Sequence, residues 1–127
     1  MSFSNYLEGK LLDHLFNVAS FTQPTLYVGL STADPQDDAS GLAEPSGNGY
    51  ARVAVSSWAR TDNTMDNDND ISFPTATGSW GTVTHGCLFD ASSGGNLLLS
   101  FALDSSKTIV NGDTVKFAAG QFNVSLD

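Results

Sequence analysis

Between Ser4 and Ala19 the apolar residues Leu7, Leu11, Leu12, Leu15, Phe16 and Ala19 recur at intervals of three and four. That spacing lays one apolar stripe along a helix and predicts a helix over residues 4–19. Ser4 or Asn5 can cap its start, and Glu8, three residues after Asn5, is placed to complete a capping box. Such a stripe has to be covered, either by the domain's own sheet or by a neighbouring subunit.

After Gln23-Pro24 the period changes. In Thr25 to Ser31, Leu26, Val28 and Leu30 fall on one face at period two, the mark of a strand. Further strand-like runs are Tyr50 to Val55, Ile71 to Phe73, Thr82 to Phe89, Leu97 to Leu103, Lys107 to Val110, Thr114 to Phe117 and Phe122 to Leu126, about eight strands in all. Within Tyr50 to Val55, Arg52 lies in line with Tyr50 and Ala54, opposite the face of Val53 and Val55. Ser93-Gly94-Gly95-Asn96 is set to close a hairpin. Asn111-Gly112 reads as a type I′ turn that makes its flanking strands antiparallel neighbours. The segment from Thr32 to Asn48, with Pro35, Gly41, Pro45 and Gly47, resists both helix and ladder, and loops this long usually make contacts.

Many short strands with a turn about every ten residues predict a mainly β domain, an antiparallel, jelly-roll-like β-sandwich over residues 25–127 with one N-terminal α-helix. A chain of 127 residues fits one domain spanning 1–127. A domain of that size withdraws roughly two thirds of its unfolded surface from water without a staple. Only 15% of its residues are charged, while Asn, Ser, Thr and Gly are plentiful, which suits strands joined by polar turns.

With 14 acidic and 5 basic residues the formal charge is -9, so phosphate and anionic lipid are repelled at long range. Nucleic acid and membrane surfaces are therefore not expected partners. Cys87 is the single cysteine, which rules out an intrachain disulfide framework, and it reads as a small buried apolar group. Met1-Ser2-Phe3-Ser4 opens without a basic region leading into an apolar core, and no run nears the ~18 apolar residues that span a bilayer. A soluble, unprocessed chain of cytoplasmic synthesis is expected.

Catalytic chemistry is hard to place. His14 on the helix and His85 in a strand lack a recognised nucleophile motif, Gly78-Ser79-Trp80-Gly81 misses the nucleophile elbow, and one Cys with two His is too few for zinc. The glycines lie in turns between strands rather than in a phosphate loop opening a helix, and no organic cofactor is expected. Asp66, Asp68 and Asp70 alternate in the way a Ca²⁺ loop begins. Ile71, however, stands where such a loop needs glycine, and Thr77 where it needs a bidentate Glu, so a solvated acidic loop is the simpler reading. Candidate contact residues are Leu7, Leu11 and Leu15 on the helix stripe, Asp37, Asp38 and Pro45 in the long loop, and Trp80 between Gly78 and Gly81.

Four segments carry a resemblance. Leu26-Tyr27-Val28-Gly29-Leu30-Ser31-Thr32-Ala33-Asp34-Pro35, Gly41 to Pro45 with Gly49 to Val53, Phe73 to His85, and Asn111 to Gly120 are similar to a family of small tailed-phage virion proteins. The resemblance covers most of the chain, the helix included, and leaves Thr61 to Asp70 without a matching motif. It implies a virion structural protein made in the host cytoplasm, with no catalytic residues. Members are commonly labelled tail fibre proteins, and β-sandwich proteins of this size also decorate capsid shells.

A fibre gains its reach from heptads or repeats, which this chain lacks, whereas a cement protein needs a compact body, a gripping helix and long contact loops. The features of the sequence therefore rank a capsid cement or decoration protein first. Its partners would be the major capsid protein and copies of itself, a trimer by analogy with cement proteins at quasi-three-fold positions. A tail fibre or adaptor component bound to other tail proteins ranks second. A small calcium- or carbohydrate-binding module ranks third.

Overall fold

The computed structural model describes residues 1–126. A two-residue strand β1 (Ser2–Phe3) leads into helix α1 (Asn5–Leu15), followed by β2 (Leu26–Ser31), β3 (Val53–Val55), β4 (Trp58–Thr61) and β5 (Thr64–Asn67). Then come β6 (Ile71–Ser72), β7 (Gly81–Phe89), β8 (Leu97–Ile109), β9 (Lys116–Phe117) and β10 (Asn123–Ser125). The architecture is mainly β with one helix, as the alternation predicts, and every strand pairing is antiparallel.

Three sheets form, ordered β1-β8-β7-β2-β3, β10-β5-β4 and β6-β9. On the large sheet the period-two faces separate cleanly. Val28, Leu30, Val83 and Leu88 turn toward Phe117 of β9 and Phe122 just before β10, closing a sandwich-like core. Phe122 is fully buried there, with Phe101, Phe117 and Trp58 packed edge-on around it. The opposite face carries Cys87, Phe89, Leu97 and Tyr27, and Ala39 and Leu42 of the long loop cover it. The loop thus acts as the second lid of the sheet. Gly29 permits the close approach on this side, since a Cβ there would lie 2.7 Å from the Phe89 ring.

Four details depart from the sequence expectation. Trp58 to Asn67 forms a hairpin across Asp62-Asn63, with Thr61 opposite Thr64 and Asp62 at φ 52°. The two runs expected at Leu97 to Leu103 and Lys107 to Val110 are one strand. It bulges against β7, because His85 pairs with Ala102 and Val83 with Lys107. At Asn111-Gly112 only Gly112 has positive φ, and the chain does not fold back into a ladder: β9 pairs with β6. Asp113 explains this, because its carboxylate takes the Val110 N–H that a hairpin partner would have used.

The helix is also shorter than 4–19. Asn17 adopts φ 62°, and the N–H groups of Val18 and Asn17 return to the carbonyls of Asp13 and His14, a Schellman closure that stops the helix at Leu15. Ser4 is the N-cap and its hydroxyl accepts from the Leu7 N–H, so Glu8 lies one residue too far on for a capping box.

Candidate contact surface

Helix α1 is fastened at its N-terminus. The Ser4 hydroxyl donates to the Leu97 carbonyl at 2.6 Å, the Ser4 N–H donates to Leu98, and the Asn5 N–H donates to the Asp37 carbonyl. The Ser2 hydroxyl holds the Asp37 side chain beside the helix start, where the helix dipole favours a negative charge. Leu7 is the one helix residue buried in the core. Further along the helix leaves the body: Leu11, Leu12, Leu15 and Phe16 are 40%, 57%, 71% and 68% exposed, and Val18 beyond it 74%. The return of the chain is tied down by the Phe21 N–H, which donates to His14 Nδ1. Leu7 and Leu11–Leu15, one stripe in sequence, therefore have different surroundings.

The long loop is clamped by a network centred on Arg52, whose side chain is 5% exposed against 21% for its partner Glu44. Its Nη2 and Nε donate to the two Glu44 oxygens at 2.5 and 3.0 Å, and its Nη1 donates to the carbonyls of Ala91 and Gly94 in the β7–β8 turn. The guanidinium lies 3.5 Å from the centre of the Phe89 ring. Tyr50 completes the group, donating to Glu44 at 2.6 Å and accepting the Leu30 N–H. Burial, and then the hydrogen bond to Glu44, push the Tyr50 hydroxyl well above its ordinary value. Arg52 and Tyr50 share a face at period two, which was the sequence signal for this cluster. Its acceptor, Glu44, could not be picked out from the loop composition.

The clamp presents the loop apex. Asp34 and Asp38 each accept a backbone N–H two residues on, from Gln36 and Ser40, and Ser40 holds the exposed Asp38 carboxyl below the usual carboxylate range. Asp37 and Asp38 are exposed beside α1, whereas Pro45 is buried. Trp80 is only 4% exposed. Its indole N–H donates to the Asn48 carbonyl, and its ring stands edge-on to Tyr50, inside the body of this chain.

Asp66, Asp68 and Asp70 do not converge. The Asn123 side-chain amide donates to Asp66, Ser57 donates to Asp68, and Asp70 accepts the Ala119 N–H with Lys116 3.6 Å away. Among the described residues no group of three His, Cys, Asp or Glu side chains stands close enough to hold a metal ion. The working residue of this stretch is Asn67, which sequence reasoning passed over. It is 2% exposed, its amide donates to the carbonyls of Asn69 and Ala118, and its carbonyl accepts the Phe122 N–H. One side chain thereby ties β5 to the β9–β10 connection. His85, half-buried, shares a hydrogen bond with Thr84 through Nδ1.

The chain is thus a sandwich-like body with a long loop clamped over one sheet face by the Arg52 network and an apolar helix end projecting from it. The sequence from residue 2 to 125 matches the family model described as Podophage GP4 fiber I protein gp80. The chain belongs to that family, a group of bacteriophage structural proteins of the fibre type. No curated protein matches it. Among the described residues no helix is long and apolar enough to cross a membrane.

Proposed function

We propose that this protein is a non-catalytic component of a podophage tail fibre, a compact body that joins or ends a longer fibre by contact with other tail proteins. The family match along residues 2–125 carries this reading. The fold supports it in a particular way. Among the described residues the single helix has 11 residues and the strands pair into three sheets around a shared apolar core, a compact body suited to a joint or tip. The clamped loop apex at Asp37 and Asp38 is the surface on which such contacts would be made. The family also reverses the order that length and compactness alone suggest, moving the fibre ahead of capsid decoration.

Immunogold electron microscopy of intact particles with antibodies to the folded chain tests the placement. Gold at the tail fibres is the expected result. Gold spread evenly over the shell would overturn the proposal in favour of decoration.

A further inference from the structure

The outer face of α1 is unlike an ordinary solvent-facing helix surface. With about 100° of turn per residue, Leu11, Leu15, Leu12 and Phe16 fan across roughly 140° of the helix, on the side away from Lys10 and Tyr6. Their exposed parts, with Val18 just past the helix end, amount to roughly 600 Å² per copy, so complete covering in pairs would remove at most roughly 1,200 Å², the lower edge of specific interfaces.

Gly9 points to what covers them. It sits in the middle of the helix, where glycine weakens the helix relative to alanine, yet a Cβ at that position would meet nothing within 4 Å. Nothing within this chain requires a glycine there. It lies almost in line with Phe16, seven residues and about 10 Å apart along the axis, and so makes a hollow and a bulge on one surface.

We infer that this face pairs with the same face of a second copy, the two helices antiparallel about a two-fold axis near Leu12, each Phe16 ring seated over the partner's Gly9. Only the antiparallel arrangement brings bulge to hollow twice over, which is the self-complementarity a two-fold contact needs. It also keeps the two Glu8 side chains, which lie within the apolar arc, at opposite ends of the contact. A parallel bundle would instead set Glu8 against Glu8 and Phe16 against Phe16. The charge of -9 on each copy opposes approach at long range, and salt screens that repulsion, so the pairing strengthens with ionic strength. The inference does not depend on where in the particle the protein sits.

Sedimentation velocity of the full chain across micromolar concentrations, at low and high salt, tests it together with two variants. A monomer–dimer equilibrium favoured by salt is expected. Gly9→Leu fills the hollow and weakens association about tenfold or more, while its monomer melts no lower than the parent, because leucine is the better helix former. Phe16→Ala weakens association similarly. The double variant regains part of the loss, because the introduced leucine side chain occupies the space that the phenylalanine ring vacates. A chain that stays monomeric, a three-fold species, or a dimer indifferent to Gly9→Leu would each overturn the pairing.

Discussion

Replacing Arg52 with alanine removes a guanidinium that joins Glu44, the Phe89 ring and two turn carbonyls at once. Breaking a buried ion pair from one side costs about 3–5 kcal/mol, because the remaining charge stays desolvated. Glu44 is 21% exposed and can regain some water, so the lower half of that range applies to the pair. The lost ring contact adds about 0.5–1 kcal/mol, and the two are not additive in full. We expect a loss of about 3–4 kcal/mol at neutral pH, a large share of the ~5–15 kcal/mol that a domain of this kind has.

Urea unfolding followed by tryptophan fluorescence measures this change. Native-state hydrogen exchange should locate it, with protection falling first in residues 32–48 and in the turn at 90–96. Arg52→Lys keeps the charge without the fork and is expected to recover less than half. A loss below about 1 kcal/mol, or unchanged protection of the long loop, would refute the view that Arg52 holds the lid on the sheet.

Four further outcomes follow from named groups. Asn67→Asp sets a carboxylate against the carbonyls of Asn69 and Ala118, which favours its neutral form and raises its folded pKa. The variant should therefore lose about 2–3 kcal/mol at neutral pH and recover as pH falls toward the ordinary carboxylate value, and a pH-independent loss would sink this reading. Burial, and then the Glu44 charge, push the Cys87 thiol up to about 12, so native protein should not react with a disulfide reagent at pH near 8 until urea unfolds it. The raised Cys87 and Tyr50 values contribute stability that is whole below their unfolded pKa values, about 9 and 10, and is lost as pH rises beyond them; an unchanged urea midpoint at alkaline pH would contradict this. Millimolar Ca²⁺ should leave the melting temperature in place, since Asp66, Asp68 and Asp70 have separate partners. A site filled at ten times its Kd would instead add about 1.4 kcal/mol.

Period and turn chemistry made much of this fold legible. The alternation at Leu26, Val28 and Leu30 marked β2, and Ser93 to Asn96 marked the turn between β7 and β8. The β4–β5 hairpin escaped because the residues around its turn are mostly polar: Asp66 and Asn67 read as a solvated loop, yet Asn67 is buried for hydrogen bonding rather than for apolar contact. Trp80 looked exposed because glycines flank it, but its indole N–H has a carbonyl partner in the interior. The helix stripe carried no record of which of its turns meets the sheet. That is decided at Ser4, whose two bonds to β8 aim the helix so that Leu7 enters the core and Leu12 to Phe16 do not. Arg52 and Tyr50 could be paired by parity, whereas Glu44 reaches them only through the path of the loop.

Quantitative mass spectrometry of purified particles, comparing the number of copies of this chain with that of the major capsid protein, tests the central claim most directly. A fibre component is predicted to be present in a small number of copies set by the tail, far below the shell protein. Near parity with the shell protein would contradict the account and return the protein to the capsid surface.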